Sequence, residues 1–284
     1  MTGLNEAFVI GQNTRDRILR QNPQSSPLIH PLLAGKDIRR YRSDFQKRYL
    51  IAIPRGWTRS HLSQASKQAS KQAKNIRTRA ISEAEGWAWF REAHPLLAEH
   101  LAPFAERARK RKNQGDFWWE LSPRQEFFAL QEQPKIIYPI IARESRFALD
   151  AAGNYLNDKC FFISQEDDYL LGILNSSTIW FYLQYHLSVL GDANKKGRLE
   201  LRGVHMKRIP IPPAAPDDHR QTIERCVKEA LVLAPQEAAA LRGSHEQQQL
   251  RRRLDQLDAE IDQAVCALYG LTEAQKERVL GVTN

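Results

Sequence analysis

The chain has 284 residues, 42% of them hydrophobic, so it can bury a sizeable core in one large or two smaller domains. Its cysteines, Cys160, Cys226 and Cys266, are far apart and lack CxxC or histidine partner spacing, which argues against a disulfide framework or a zinc site. Polar residues interrupt the most apolar segment, residues 169–190, so we expect no membrane span and a soluble, cytoplasmic protein.

The formal net charge of +9 at pH 7 is unevenly distributed along the chain. Residues 1–134 contain 23 Lys and Arg against 13 Asp and Glu, whereas residues 217–284 contain 9 against 12. A polyanion is therefore expected to meet the first part of the chain and to avoid the last.

The first 134 residues mix short strand-like and helical segments. Residues 3–10 and 48–53 have the apolar runs of strands, and Ser82 with Glu85 has the pattern of a helix cap. Residues 61–79 repeat Ser, Gln, Ala and Lys without an apolar stripe. This pattern favours a solvated insertion or frayed helix, and a basic arm along phosphates is the alternative.

Two clusters in this part have ordinary structural explanations. Five cations between Arg107 and Lys112 end a predicted helix, where positive charge interacts favourably with the helix dipole. The adjacent aromatic residues Phe117, Trp118 and Trp119 are more typical of core packing than of a platform for stacked bases.

Residues 134–212 carry the densest pattern of the chain. Residues 135–142 form a β-branched apolar run that predicts a buried strand, and residues 159–163 predict another. Between them, residues 146–158 predict a hairpin around the turn-forming residues 151–154.

A long apolar helix is predicted after these strands. Ser164 has a capping pattern at its start, Asn175 and Ser176 interrupt it, and Gly191 marks its end. Its apolar residues lie nearly all round, so we expect a core helix.

The segment from Asp192 to Arg208 combines six Lys and Arg residues with flanking glycines. Its alternation predicts a strand that buries Leu199 and Leu201 and turns Arg198 and Arg202 outward. Such a segment either enters a groove of nucleic acid or forms a solvated hairpin, and the residues alone leave both alternatives open.

Residues 217–284 predict helices. Ser244 with Gln247 has a capping pattern, and from Leu250 to Leu268 the apolar residues alternate steps of four and three, which is the spacing of a coiled-coil seam. The seam either packs on its own domain as a helical hairpin or binds a partner.

Five short motifs follow one another in the central region, at residues 135–139 (KIIYP), 147–150 (FALD), 169–176 (YLLGILNS), 179–182 (IWFY) and 209–212 (IPIP). In this order they resemble the TaqI-like C-terminal specificity domain, the DNA target-recognition module of adenine-N6 DNA methyltransferases and fused restriction–modification enzymes. The resemblance is closest over residues 134–212 and extends more loosely to residues 35–41 and 117–121. Residues 4–8 (LNEAF) resemble a segment that follows the catalytic domain in family members, so the chain is expected to begin where a methyltransferase would end.

The resemblance implies an α+β target-recognition domain of mixed strands and core helices at residues 1–216, with a coiled-coil-like helical extension at residues 217–284. It implies binding of double-stranded DNA and a partner, an adenine methyltransferase domain or subunit that uses S-adenosylmethionine. The DNA contacts are expected from basic residues, namely Lys36, Arg39, Arg40, Arg143, Arg146, Lys195, Lys196, Arg198, Arg202, Lys207 and Arg208.

The sequence lacks the motifs of the catalytic part. It has no glycine-rich turn for S-adenosylmethionine, no Asn/Asp-Pro-Pro-aromatic motif for a flipped adenine and no P-loop. No histidine has a recognisable partner, so we expect no catalytic or metal-binding residue in this chain. Two other functions stay open: a magnesium-dependent nuclease of a restriction system, and a helical scaffold that binds protein through residues 245–269.

Overall fold

The computed structural model describes residues 2–69, 81–191, 197–212 and 217–282. Contacts divide the chain into two compact units. Unit 1 comprises residues 1–32 and 45–132, and unit 2 comprises residues 33–44 and 133–284. The candidate residues Lys195 and Lys196, and the greater part of the predicted arm at 61–79, lie outside the described residues.

The described part of the chain contains both helices and short strands. The helices are α1 (Asn5–Phe8), α2 (Gln12–Gln21), α3 (Trp57–Ala69), α4 (Glu83–Ala93), α5 (Pro95–Leu101), α6 (Ala105–Arg109), α7 (Gln125–Glu132), α8 (Asp168–Asn175), α9 (Ser177–His186), α10 (Gly203–Met206), α11 (Asp217–Ala239), α12 (His245–Leu268) and α13 (Glu273–Val282). The strands are β1 (Val9–Gly11), β2 (Ile29–Leu33), β3 (Ile38–Arg39), β4 (Arg42–Ser43), β5 (Arg48–Ile51), β6 (Lys135–Pro139), β7 (Ile141–Ala142), β8 (Ala148–Asp150), β9 (Tyr155–Leu156), β10 (Cys160–Ile163), β11 (Val189–Leu190) and β12 (Arg198–Glu200).

Unit 1 is built on antiparallel strands and a cluster of aromatic side chains. β5 lies between β1 and β2 and pairs with both. Phe117, Trp118 and Trp119 are buried, and the rings of Phe117 and Trp119 stack with their centroids 4.6 Å apart. The ring of Trp87 packs against that of Trp119, with 5.1 Å between their centroids. The predicted core-packing role of the three adjacent aromatic residues is therefore confirmed.

The cations that follow α5 serve the fold of unit 1. The buried Arg111 guanidinium donates hydrogen bonds of 2.6 to 3.0 Å to three backbone carbonyls, and burial lowers its pKa to about 10. Arg107 and Arg109 form ion pairs with Glu6 and Glu83 at 2.6 and 2.7 Å. Arg111 therefore serves the fold of unit 1, whereas Arg107 and Arg109 are at the surface with their charges partly neutralised by carboxylates.

His94 makes the stability of unit 1 depend on pH. Its Nδ1 lies 2.9 Å from the hydroxyl of Ser25, and its buried ring packs against Trp57 and Phe90. Burial first, and the nearby His61 second, lower its pKa from 6.5 to about 4. The unfolded chain takes up a proton that the folded ring does not, so we expect the free energy of unfolding to fall as the pH drops from about 6.5 to about 4.

Denaturation followed by tryptophan fluorescence measures this loss, because five of the six tryptophans lie in unit 1. His94→Gln removes the titrating group and retains a hydrogen-bonding side chain, so its decline should be shallower than that of the wild type between about pH 6.5 and 4. Identical slopes for both proteins would show that His94 does not carry the effect.

The centre of unit 2 is β6, whose five residues are all buried as the apolar run predicts. β6 pairs antiparallel with β10 on one side and β8 on the other. The hairpin predicted over residues 146–158 is therefore wrong, because residues 148–150 pair with β6. Lys135 lies opposite Asp150 in this register, and their buried side chains form an ion pair of 2.5 Å. The same carboxylate accepts hydrogen bonds from the turn that follows it, including 2.9 Å from the amide of Asn154.

The predicted pause in the apolar helix is confirmed, since α8 and α9 are separated by Ser176. Asn175, at the end of α8, pairs with the backbone of Phe147: Nδ2 donates to its carbonyl at 3.0 Å, and Oδ1 accepts from its amide at 3.1 Å. Ser176 accepts a hydrogen bond from the amide of Ile179 and so caps α9. The helix therefore breaks where the side chains of Asn175 and Ser176 form hydrogen bonds with backbone groups in place of the helical ones.

The ends of this helical segment differ from the prediction. Asp167, rather than Ser164, caps α8 by accepting a hydrogen bond of 2.9 Å from the amide of Leu170. α9 ends at His186, and the next residues form β11 before Gly191. Val189 and Leu190, which the apolar pattern assigned to the helix, pair with β12 instead.

The C-terminal helices pack into the core of unit 2. Gly172 of α8 allows α11 to approach closely, since a Cβ there would lie 2.4 Å from Ile223 and 3.0 Å from Val227. The seam residues Leu257 and Ile261 of α12 are fully buried in the same core. The seam therefore packs on its own unit, and these residues offer no surface for the scaffold alternative.

Two carboxylates of α12 bind the rest of unit 2. Asp258 accepts 2.9 Å from the hydroxyl of Tyr41 and forms an ion pair with Arg40 at 3.1 Å. Asp262 accepts 2.7 and 2.6 Å from the amide and hydroxyl of Ser177. Burial raises the pKa of both carboxyls, and these partners offset part of the rise. Contacts thus group the C-terminal helices with unit 2, and the division at residue 216 into two functional regions stays a prediction.

Candidate nucleic-acid interface

The basic segment after α9 forms a small sheet in unit 2. β12 lies between β11 and β7 and pairs antiparallel with both. Leu199 and Leu201 are 2% and 0% exposed, whereas Arg198 and Arg202 are exposed. The leucines therefore anchor the segment in the core, and the arginines point away from it, as the alternation predicts.

Arg143 directly follows β7, and Arg198 is the first residue of β12, the strand with which β7 pairs. The paired residues are Leu199 with Ala142 and Glu200 with Ile141, and Arg143 lies one residue beyond them, outside the strand. Both arginines are exposed, and within the described ranges neither forms an ion pair.

The nearby carboxylates are engaged by other cations. Glu144 binds Arg146 at 2.6 Å, and Glu200 binds Arg202 at 2.8 Å. The candidate Arg146 is therefore partly neutralised by its neighbour. Among the described residues, no carboxylate pairs with Arg143 or Arg198, so a bound anion could neutralise them.

The short helix α10 continues this surface. Buried Leu201 precedes it, buried Ile209 follows it, and Met206 packs against the core, so the segment is held at both ends. Val204 in its middle is 56% exposed. The backbone of α10 is therefore fixed in place, and the side chain of Val204 projects from it into solvent.

Three further candidate cations surround α10. Arg202 stands at its start, and Lys207 and Arg208 follow its end, all three exposed. With Arg143, which directly follows β7, and Arg198 of β12, five of the predicted residues lie on or next to these elements of one unit. The structure thus brings together candidates that are more than fifty residues apart in sequence.

The earlier basic cluster has a different setting. Arg40 is bound by the carboxylate of Asp258 and by the backbone carbonyl of Asn175, and Arg39 forms an ion pair with Asp44 at 3.4 Å. Lys36 is exposed in the 3-10 helix Gly35–Asp37. Arg40 therefore joins parts of unit 2, whereas Lys36 stands at the surface.

The apolar members of this surface were missed by sequence reasoning, which selected cations alone. Val204 and Ile141 are exposed large apolar residues, the second at 44%. The available signal was the position of Val204, which comes three residues after Leu201 and so leaves the alternation that buries the leucines. Only the structure shows that its side chain is exposed.

Other kinds of site were sought over the same residues. Among the residues described, no group of three or more His, Cys, Asp and Glu side chains is arranged to hold a metal ion. The nuclease alternative thus has no candidate centre within those ranges. No described helix is long and apolar enough to cross a membrane.

Known proteins share both the sequence pattern and the fold. Residues 30–211 match the family model of the TaqI-like C-terminal specificity domain. Among solved structures, the chain is similar to the Type IIL restriction-modification enzyme MmeI in complex with DNA, with a TM-score of 0.61 at 10% sequence identity. The match covers 98% of this chain and 34% of that one. At this identity it shows a shared fold and confirms the predicted α+β architecture, and no curated protein matches the chain.

Proposed function

This chain belongs to the TaqI-like C-terminal specificity domain family, and we propose from that premise that it selects the DNA on which a restriction–modification enzyme acts. Its role is to bind double-stranded DNA and to present one site to the catalytic part of that enzyme. The solved relative was determined in complex with DNA, and this chain spans 34% of its length. What a complete restriction–modification enzyme does with the selected DNA is therefore also a proposal.

The observation that carries the proposal is a pair of exposed arginines, Arg143 directly after β7 and Arg198 on β12, the strand that pairs with β7. Neither has an ion pair in the described ranges, so a bound polyanion would neutralise both. A guanidinium matches phosphate oxygens, or O6 and N7 of guanine, with two parallel hydrogen bonds. Arg202, Lys207 and Arg208 extend the surface. Arg40 stands apart, since Asp258 and Asn175 already hold it.

The partner that we propose is an adenine-N6 DNA methyltransferase, either a further domain of the same polypeptide or a separate subunit in the cytoplasm. The methyl donor S-adenosylmethionine and the flipped adenine belong to that partner, because this sequence lacks the motifs that hold them. What this chain contributes is position. By fixing the duplex, it decides which adenine meets the catalytic part.

Binding of duplex DNA by the 284-residue chain should depend strongly on salt. Each phosphate that a cation neutralises releases counterions, so several contacts should lower the affinity by orders of magnitude between about 50 and 200 mM salt. Fluorescence anisotropy of a labelled duplex across this range measures the slope. Absent binding, or an affinity indifferent to salt, would overturn the proposal.

Single substitutions separate reading of bases from attraction to phosphates. Arg198→Ala should weaken binding by roughly 1–3 kcal/mol and relax preference at one base pair, whereas Lys207→Ala should weaken all sequences alike and lower the salt slope by about one. Arg242→Ala is the matched control, since that exposed arginine lies between α11 and α12. Competition with single-base variants of the target measures the difference. Equal loss on every sequence for Arg198→Ala would reduce the sheet to an electrostatic clamp.

A further inference from the structure

Val204 is an apolar side chain exposed in the middle of a basic surface. It is 56% exposed and stands between Arg202 and Lys207. A second valine of unit 2, Val232 on α11, is equally exposed at 59%, and a single cation, Lys228, lies one helical turn before it. Exposure alone is ordinary for a valine, so the setting of Val204 is what calls for an explanation.

The backbone around Val204 is fixed and open to close approach. Leu201 and Ile209 are buried on either side of α10, and Met206 packs against the core. Gly203, directly before the valine, has open space in front of it, since a Cβ there would meet nothing within 4 Å. A rigid apolar group with free space around it can enter a groove without rearrangement, which keeps the entropic cost of binding small.

The bases of DNA offer one strongly apolar group at their major-groove edge, the C5 methyl of thymine. Small apolar side chains recognise it by contact, while the cations beside them bind phosphates. We infer that Val204 contacts the methyl group of a thymine in the bound duplex and thereby requires an A·T pair at that position. The inference rests on the proposed function and adds a specificity-determining residue to it.

Replacement of thymine by deoxyuridine tests the inference, because it removes the methyl group and leaves base pairing intact. A target is first selected from random duplexes with the 284-residue chain, and each thymine is then replaced in turn. We expect one replacement to weaken binding roughly threefold to fivefold, the worth of one buried methyl group. The remaining thymines should have little effect.

Val204→Ala and the control Val232→Ala assign the effect to its residue. In Val204→Ala, which has a smaller apolar side chain, the difference between the thymine and deoxyuridine duplexes should shrink, whereas Val232→Ala should retain the full difference. Both valines are exposed, so denaturation midpoints close to that of the wild type are expected for both variants.

The outcomes distinguish this inference from the proposed function. A selected target without an A·T pair overturns the inference, as does wild-type binding that is indifferent to every replacement. A difference that is undiminished in Val204→Ala also overturns it and assigns the methyl group to another residue. In these three cases DNA selection by the chain stands, whereas failure to select any duplex removes the proposed function itself.

Discussion

Replacing Lys135 with methionine is expected to lower the free energy of unfolding of unit 2 by about 3–5 kcal/mol. The side chains of Lys135 and Asp150 are 0% and 2% exposed and form an ion pair of 2.5 Å. Methionine fills much the same volume, so the loss comes from a carboxylate left buried without its cation. Urea denaturation followed by circular dichroism measures the change.

A pair at the surface provides the control for Lys135→Met. Lys276 and Glu273 of α13 form an ion pair of 2.8 Å, in which the lysine is 21% and the glutamate 86% exposed. Lys276→Met should therefore change stability much less than Lys135→Met does. If both lysine variants lose the same small amount, the buried ion pair of β6 and β8 is not a structural requirement.

Replacing Gly172 with alanine should destabilise unit 2 by about 1–3 kcal/mol, although alanine is the better helix former. A Cβ at this position would lie 2.4 Å from Ile223 Cγ2 and 3.0 Å from Val227 Cγ2. Both residues are β-branched and fully buried on α11, so they cannot swing away without moving the helix. Denaturation of the purified variant measures the loss.

Gly281→Ala in α13 isolates the steric effect of the extra methyl group. A Cβ at Gly281 meets nothing within 4 Å, so alanine there should leave stability unchanged or raise it slightly. If Gly281→Ala lowers stability as much as Gly172→Ala does, helix conformation explains both losses. The close packing of α8 on α11 would then explain neither.

Local patterns predicted the elements whose partners are close in sequence. The β-branched run at residues 135–142 predicted β6, and the caps at Ser82 and Ser244 lie where the patterns indicate. Asn175 and Ser176 predicted the break between α8 and α9. Each of these signals acts through the backbone within a few residues, which is why the sequence alone shows it.

Pairing between distant segments was beyond the reach of such patterns. The turn at residues 151–154 suggested a hairpin, but Asp150 finds Lys135 across β6 instead. In the same way, Arg40 and Arg198 both lie in basic segments of the sequence, but Arg40 forms an ion pair with Asp258, which is more than two hundred residues away. Which arginine stays available for a ligand depends on tertiary partners, so the candidate site could be predicted as a set of cations but not as a surface.

The hydrogen bonds from Tyr41 and Ser177 to α12 determine how long a segment must be if it is to be moved intact into another enzyme. The family match ends at residue 211, whereas the acceptors of these bonds are Asp258 and Asp262. A chimaera built from residues 30–211 alone would lose both acceptors and uncover the face of α8 on which α11 packs. The transferable segment therefore runs through α12, and an acidic helical tail goes with the basic surface that we propose to contact DNA.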